Sequence, residues 1–235
     1  MVNKITINKI IIEKLKPTKK EFKNKNGKFS AQGNIKDLKV KVYEVFDQKQ
    51  GALREFISNH RELSLYFPKL IDYDNNYIVE EWINGKTLKE ANLEYTKKIA
   101  LSIEVKKIIN LMWSVKYNDL VFDYVNYIHK RVNKINNFDL KNLPIRINHN
   151  DLSLDNILVT TNGLKIIDNE FLGCNNGWIL NIKNSFLKED FTYQNFVSSD
   201  TLNSLWNVRK EWSQIKLKKS KFTIGSFYNY IKKIL

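Results

Sequence analysis

Four polar residues in one short segment have the types and the order that phosphate chemistry requires. His149, Asp151 and Asn156 come before a short apolar run, and Asp168 follows a second one. Phosphoryl transfer needs a carboxylate that orients the attacking hydroxyl and accepts its proton, and Mg²⁺ prefers hard oxygen ligands. Asp151 therefore suits the role of base, and Asn156 and Asp168 suit the role of metal ligands.

The two apolar runs predict the structure that holds these residues. Residues 157–159 (ILV) are apolar, residues 164–167 (LKII) are apolar apart from Lys165, and the turn sequence TTNG separates the two runs. Apolar runs on either side of an Asn-Gly turn are typical of a β-hairpin. We expect this hairpin to carry both metal ligands, and we expect His149 to hold the preceding loop by hydrogen bonds.

Length and composition indicate a folded chain in a reducing compartment. The 235 residues are 43% hydrophobic and 12% aromatic, which is enough to bury a substantial core. Cys174 is the only cysteine, so an intrachain disulfide is excluded and a cytoplasmic location is expected. No apolar run reaches the length of a membrane-spanning helix, and the charged N-terminus does not resemble a signal peptide.

The net charge of +14 is concentrated in two segments, residues 14–28 and 216–222. Such patches favour nucleic acid, an anionic membrane surface or an acidic substrate. Lysine greatly outnumbers arginine, and the sequence shows no helix-turn-helix, zinc or RNA-binding signature, so nucleic acid is the least favoured partner. Peripheral contact with the inner face of the membrane and simple codon bias both stay open.

Periodicity predicts that the first part of the chain is mostly β-structure. Residues 28–35 and 38–46 read as strands around a polar turn, and residues 67–83 read as two more strands around an Asn-rich turn. Between them, residues 49–67 have apolar residues at helical spacing. This part resembles a sheet with one helix.

The sequence pattern of the second part of the chain predicts helices. Thr87 and Glu90 form a potential capping box, and residues 88–117 and 119–134 have helical periodicity. The Trp- and Lys-rich C-terminal region also reads as helical. The sequence therefore predicts an α+β fold with a β-rich lobe over residues 1–83 and a larger, mainly α-helical lobe over residues 84–235.

The segments HNDLSLDNIL and IIDNEF resemble those of the protein-kinase-like superfamily. The similarity is to the aminoglycoside phosphotransferase and choline kinase branch, in which HGDL…N-I-L precedes I-D-W/F-E. Small bacterial sugar or lipopolysaccharide-core kinases are a close rival. The resemblance covers about residues 28–171 and implies a bilobal kinase fold, ATP with Mg²⁺, and a hydroxyl acceptor.

The resemblance also implies roles for residues of the first lobe. Lys41 matches the strand lysine that reaches the nucleotide phosphates, with Lys39 as the rival on the same strand. Glu55 is the best candidate for the helix carboxylate that pairs with this lysine, and Glu62 is a weaker one. We expect Lys41 and Glu55 to form an ion pair.

Two further segments would contact the nucleotide. The segment YIVEEWINGKTL resembles the hinge that binds adenine, which places the main chain of Glu80, Glu81 and Trp82 near the base. The glycine-rich pattern G-x-G-x-x-G is absent. In its place the segment NGKFSAQGN offers Ser30 and nearby backbone N–H groups to the phosphates.

Three departures from the family pattern stand out. Asn150 replaces the usual Gly, Asn169 replaces Trp, Phe or Gly, and GWILNIKNSF replaces a segment that often carries a further Asp. The first two remove no catalytic group, whereas the third leaves the acceptor side of the site undefined.

The leading hypothesis is an ATP-dependent kinase acting on a hydroxyl of a small molecule or saccharide. Short length and positive charge favour an envelope glycan or a lipopolysaccharide-core sugar. The alternatives are a pseudokinase that serves as an interaction module and a protein Ser/Thr kinase. The missing glycine-rich loop, DFG and APE segments argue against the protein kinase, and retention of the catalytic set argues against the pseudokinase.

Overall fold

The computed structural model of the chain describes residues 4–8, 10–17, 28–91, 94–132 and 143–181, with the single helical positions 207 and 214. Its helices are α1 (Gln50–Asn59), α2 (Tyr95–Ser114) and α3 (Tyr124–Val132). Its strands are β1 (Lys4–Ile7), β2 (Ile10–Pro17), β3 (Ser30–Ile35), β4 (Leu38–Glu44), β5 (Leu70–Tyr73), β6 (Tyr77–Glu81), β7 (Lys86–Thr87), β8 (Arg146–Asn148), β9 (Ile157–Thr160), β10 (Gly163–Ile166) and β11 (Gly173–Asn175). The basic segment 216–222 and most of residues 14–28 lie outside the described residues, as does the helical prediction for the C-terminal region.

A six-stranded antiparallel sheet forms the first lobe, in the order β1-β2-β3-β4-β6-β5. The four strands predicted between residues 28 and 83 are confirmed as β3, β4, β5 and β6. Val40 and Val42 point to one face, where they pack with Ile7, Ile12 and Ala31 in a closed apolar cluster. Lys41 and Tyr43 point to the other face, because side chains alternate along a strand.

Strands β1 and β2 were not predicted from the sequence. Their apolar residues are isoleucines and Leu15 interspersed with polar and charged residues, and Ile7 and Ile12 are fully buried in the sheet. Gly33 allows this packing, since a Cβ atom at that position would lie 2.5 Å from the Ile12 side chain. The alternation of apolar and polar residues is therefore weak in the sequence, and it is the packing within the sheet that shows which side chains of β1 and β2 are buried.

Helix α1 is shorter than predicted and packs against the second lobe. It begins at Gln50 and ends at Asn59, because His60 adopts an extended conformation, and a short 3₁₀ turn follows at Leu63–Leu65. Leu53 and Ile57, one helical turn apart, are fully buried in the larger apolar core. This core also contains residues of α2, α3 and the β9–β10 hairpin, so α1 connects the sheet to the second lobe.

Both later helices begin after their predicted starts. The Thr87–Glu90 capping box forms reciprocal hydrogen bonds, from Thr87 N to Glu90 Oε2 and from Glu90 N to Thr87 Oγ1, each 3.2 Å long. These bonds close a turn, and α2 begins only at Tyr95. Asp123 accepts a hydrogen bond from Asn126 N, so α3 begins at Tyr124 and not at residue 119.

The predicted hairpin is confirmed as β9 and β10, which pair in register from Gly163↔Thr160 to Ile166↔Ile157. Strand β7 extends it to three strands, and β8 pairs with β11 in a separate two-stranded sheet. The structure thus has the bilobal α+β arrangement expected from the sequence. The exact boundary between residues 83 and 84 stays a prediction. Within the described ranges, no helix combines the length and apolarity needed to cross a bilayer.

Candidate active site

A cleft of about 740 Å³ lies between the sheet and the β9–β10 hairpin. This volume is in the range of small-molecule sites. Its walls come from β4, the end of β6 with the segment that follows, and both ends of the hairpin. The lining residues are Lys41, Pro68, Glu80, Glu81, Trp82, Ile83, Asn84, Gly85, Thr87, Glu90, Asp155, Asn156, Leu158, Ile167 and Asp168.

Lys41 and Asp168 meet inside this cleft. Lys41 Nζ lies 2.6 Å from Asp168 Oδ1 and 3.5 Å from Glu170 Oε1. Burial alone would lower the pKa of Lys41, but the attraction of Asp168 and Glu170 outweighs it and raises the pKa. Lys41 is therefore a permanent cation. The rival Lys39 is exposed on the same strand and is not among the lining residues.

Asp168 occupies a backbone conformation that few residues adopt. It follows β10 with a φ of 64°, in the left-handed region, which Asp tolerates better than most residues. The amide of Ile167 donates to the carbonyl of Asn156 at 2.9 Å and links the two strand ends. The hairpin thus brings both predicted metal ligands to one end of the cleft.

The loop before the hairpin is held by hydrogen bonds of its own side chains. Asn156 Nδ2 donates to the carbonyl of Asp151 at 2.8 Å. His149 is fully buried, and its Nε2 lies 2.9 Å from the carbonyl of Ile167. Because a carbonyl only accepts, Nε2 carries the proton. Burial lowers the pKa of His149 against the opposing pull of Asp151, so the ring is neutral.

Asp151 itself is half-buried and is not among the residues lining the cleft. It lies beside the cleft, joined to Asn156 through its main-chain carbonyl. The structure therefore brings Lys41, Asn156 and Asp168 together and leaves Asp151 at the border of the site.

Asn150 fits the position where the family pattern has Gly. Its φ is 63°, and Asn is among the residues that adopt this region most readily. Its Nδ2 donates to the carbonyl of Phe171 at 2.7 Å, and its Oδ1 accepts from Asn148 Nδ2 at 2.6 Å. This substitution therefore preserves the loop conformation and ties the loop to the segment after Asp168.

The donor set fits Mg²⁺ bound together with phosphate. Asn156 uses its nitrogen on Asp151, which leaves the amide oxygen as its remaining polar atom, and Asp168 supplies a carboxylate. Mg²⁺ typically takes one or two protein carboxylates and completes its shell with phosphate oxygens and water. No cluster of three or more His, Cys, Asp or Glu side chains suited to a metal occurs among the described residues. The residues present thus suit a metal that arrives with a nucleotide.

The hinge segment lines the cleft, but its amides are not all available. The amide of Glu81 donates to the carbonyl of Lys69 at 2.9 Å, and that of Trp82 donates to the carbonyl of Lys39 at 3.0 Å. Ile83 and Asn84 also line the cleft and lie beyond the last strand residue of β6. The main-chain donors that remain for a ligand in this part of the chain are therefore one or two residues later than predicted.

Two predicted site residues are not brought to the cleft. The expected Lys41–Glu55 pair is wrong: Glu55 is exposed and accepts a hydrogen bond of 2.7 Å from the Tyr73 hydroxyl. The buried face of α1 contains Leu53, Arg54 and Ile57, and Glu55 lies outside it. Ser30 is 3% exposed at the start of β3 and is not among the lining residues.

Sequence reasoning missed a buried ion pair between α1 and β6. Arg54 Nε, on the inward face of α1, lies 2.5 Å from Glu80 Oε1 on β6. Both side chains are about 1% exposed. The same carboxylate accepts hydrogen bonds from the Tyr43 hydroxyl at 3.0 Å and from Asn169 Nδ2 at 3.2 Å. The only sequence signal was an arginine at a position of apolar helical spacing.

Comparison with solved structures identifies the fold. The aminoglycoside phosphotransferase APH(2")-IIa, in complex with gentamicin, superposes with a TM-score of 0.54 over 92% of this chain and 93% of that one, at 14% sequence identity. A thermostable mutant of aminoglycoside phosphotransferase APH(4)-Ia gives a TM-score of 0.54 over 92% and 89% of the two chains, at 12% identity. A choline kinase from Cryptosporidium parvum Iowa II gives 0.45 over 72% and 62%, at 17% identity.

No protein-family model matches the sequence, and neither does the sequence of any curated protein. At these identities the structural matches identify the fold alone. The chain therefore has the protein-kinase-like fold, in the form found in the aminoglycoside phosphotransferases.

Proposed function

We propose that this protein is an ATP-dependent phosphotransferase with a hydroxyl-bearing small molecule or saccharide as acceptor. The observation that supports it most is the convergence of Lys41, Asn156 and Asp168 on one cleft bordered by the hinge segment. A largely buried cation beside two oxygen ligands for Mg²⁺ suits a nucleoside triphosphate. The fold shared with two aminoglycoside phosphotransferases supports the same reaction class.

In this proposal the nucleotide lies along the cleft. Adenine lies against Glu81 and Trp82 and hydrogen-bonds to the main chain of Ile83 and Asn84. Lys41 contacts the phosphate oxygens, and Asn156 and Asp168 hold Mg²⁺. The metal, when bound, supplies charge neutralisation to the phosphate oxygens. Neither Glu55 nor Ser30 has a part in this arrangement.

The proposed reaction is an in-line displacement at the γ-phosphorus. The bond between that phosphorus and the bridging oxygen breaks, and a bond from the acceptor oxygen forms. ADP leaves with the bonding electron pair, and the acceptor proton passes to the Asp151 carboxylate. Asp151 orients the hydroxyl from the border of the cleft, and Lys41 stabilises negative charge on the transferred group.

For the acceptor we propose a saccharide hydroxyl, with an envelope glycan or lipopolysaccharide-core sugar as the first class to assay. Support comes from the net charge of +14. The positive charge is not a property of the cleft, whose described lining contains Lys41 and five carboxylates. These are Glu80, Glu81, Glu90, Asp155 and Asp168. An anionic acceptor would therefore be recognised by residues outside this lining, and contact with an anionic membrane surface belongs to the same proposal.

The donor half of the proposal is tested by thermal unfolding with ATP alone, with Mg²⁺ alone and with both. A ligand at about 100 times its Kd stabilises the folded state by about 2.7 kcal/mol. For a chain of this length, that corresponds to a rise in Tm of roughly 5–11 °C. We expect this rise only when ATP and Mg²⁺ are both present, and we expect Asp168→Asn to abolish most of it.

Asp119→Asn is the matched control. It also removes one carboxylate, but Asp119 is exposed and its ion-pair partner, Lys49, is 3.9 Å away and also exposed. The control should keep the full shift, since exposed ion pairs contribute little. Absence of a shift with both ATP and GTP in the presence of Mg²⁺ would reject the kinase and favour the pseudokinase.

The acceptor half is tested by ADP release in the presence of sugars and glycan fragments. We expect an acceptor to raise ADP release in the wild type. Asp151→Asn should lose about 10²–10⁴-fold of this rate while it keeps the thermal shift with ATP and Mg²⁺. Equal rates in wild type and variant would remove Asp151 from its proposed role.

A further inference from the structure

Asn169 directly follows Asp168 and is anchored in the protein interior. It is 1% exposed and is not among the residues lining the cleft. Its Nδ2 lies 3.2 Å from both carboxylate oxygens of Glu80. The interaction connects residues 89 positions apart in the sequence, so it joins the segment after β10 to strand β6. Hydrogen bonds to a charged acceptor are stronger than those between neutral groups.

Glu80 is a fixed acceptor for this bond. Its Oε1 receives Arg54 Nε at 2.5 Å and the Tyr43 hydroxyl at 3.0 Å, from α1 and β4 respectively. Burial and the neighbouring Glu80 charge raise the pKa of Tyr43, so its hydroxyl stays protonated and donates. Arg54 also donates from Nη2 to the carbonyl of Pro68 at 3.1 Å. Residues of two other secondary-structure elements, α1 and β4, thus hold the carboxylate to which Asn169 binds.

Asp168 is therefore constrained on both sides along the chain. On one side, the amide of Ile167 donates to the carbonyl of Asn156. On the other side, Asn169 is tied to Glu80. Asp168 between them has a φ of 64°, a conformation that costs free energy and persists only when neighbouring contacts impose it. The direction of the Asp168 carboxylate depends on this backbone conformation.

We propose that Asn169, through the Glu80–Arg54 pair, is a positioning residue that sets the Asp168 carboxylate for Mg²⁺-dependent nucleotide binding. This inference rests on the proposed function. Asn169 touches neither the nucleotide nor the metal in this arrangement and acts through the backbone of Asp168. The amide at this position then has a role that Phe or Gly could not fill, because neither has a side-chain donor for Glu80.

The test compares Asn169→Leu with Tyr43→Phe. Each removes one neutral donor to the Glu80 carboxylate at nearly constant side-chain size, but only Asn169 is adjacent to Asp168. Tyr43→Phe keeps the ring that lies 5.2 Å from Lys41 Nζ. Calorimetric ATP titrations with Mg²⁺ and with a chelator give the factor by which Mg²⁺ tightens ATP binding. Thermal unfolding gives the accompanying loss of stability.

We expect both variants to lower Tm by similar amounts. Asn169→Leu should reduce the Mg²⁺-dependent factor by about tenfold or more, as the loss of supporting hydrogen bonds does at other metal sites. Tyr43→Phe should keep the wild-type factor. Binding of ATP in the presence of chelator should be the same in all three proteins, because Asn169 acts on the metal ligand and not on the nucleotide.

The inference is overturned if Asn169→Leu retains the wild-type factor, or if Tyr43→Phe loses it equally, since Asn169 would then contribute only packing. If Asn169→Leu does not fold, Asn169→Ala replaces it, with the same expected loss. Failure of the wild type to bind ATP under either condition is a different result. That outcome would reject the proposed function itself, and the positioning role with it.

Discussion

Substitutions that remove one or both charges of the buried Arg54–Glu80 pair should show how much each charge is stabilised by the other. The pair connects α1 to β6 across 26 positions of sequence, and Arg54 Nε is 2.5 Å from Glu80 Oε1. Arg54→Met leaves a buried carboxylate without its counter-charge. Glu80→Gln leaves a buried guanidinium in the same situation. The double variant contains neither charge and keeps an amide oxygen as acceptor for Tyr43 and Asn169.

The magnitude follows from burial, since both side chains are about 1% exposed. Removal of one partner from such a pair typically costs about 3–5 kcal/mol, because the remaining charge cannot be solvated. For a chain of this length, this corresponds to a fall in Tm of roughly 6–20 °C. The double variant should be destabilised less than the sum of the two single variants, by at least about 2 kcal/mol.

The free energies of unfolding are measured by urea denaturation of all four proteins at pH 7, with circular dichroism as the signal. Strictly additive losses in the double variant would refute the reasoning, because they would mean that the two charges are solvated independently. Single losses below about 1 kcal/mol would do the same, since this is the range of exposed ion pairs.

Three further predictions concern other residues of the site and core. Asn150→Ala should be about 1–2 kcal/mol less stable than Asn150→Gly in urea denaturation, because only glycine adopts the φ of 63° without strain; equal stabilities would contradict this. Burial lowers the pKa of His149 below its unfolded value, so the unfolded state binds more protons at acid pH. The free energy of unfolding should therefore be highest above about pH 6.5 and should fall as the pH decreases from there. His149→Gln, which keeps a donor for the Ile167 carbonyl, should flatten this dependence by up to about 1.4 kcal/mol per pH unit, and an unchanged slope would exclude His149 as its source. Burial, with a smaller contribution from Asp119, raises the pKa of Cys174 to about 11, so the thiol should resist a maleimide at pH 8 in the folded protein and react once urea is added; rapid labelling of the native protein would count against it.

Local sequence patterns were enough to predict the parts of the site that lie close together along the chain. The apolar runs on either side of an Asn-Gly turn predicted the β9–β10 hairpin, and the alternation of residues 38–44 predicted β4 with Lys41 on its polar face. Such patterns work because the period of a strand and the chemistry of a turn depend on neighbouring residues. The placement of Asn156 and Asp168 at one end of the hairpin follows from the same local pairing.

Helix starts were less predictable for a physical reason. The Thr87–Glu90 pair formed its expected hydrogen bonds, yet these close a turn and α2 begins only at Tyr95. Capping bonds satisfy only a few backbone groups, whereas most helical stability comes from packing of an apolar face. The capping signal therefore identified a local structure without determining what followed it.

The sequence by itself determined the fold class, the hairpin with its two metal-ligand candidates, and the lysine strand. Only the tertiary structure decided which charges meet. Lys41 pairs with Asp168 across 127 positions, Asn169 reaches Glu80 across 89, and Arg54 faces inward where a glutamate was expected from α1. These partners are chosen by the packing of α1 against the sheet and the hairpin, because a buried charge must find its counter-charge wherever the assembled fold places one.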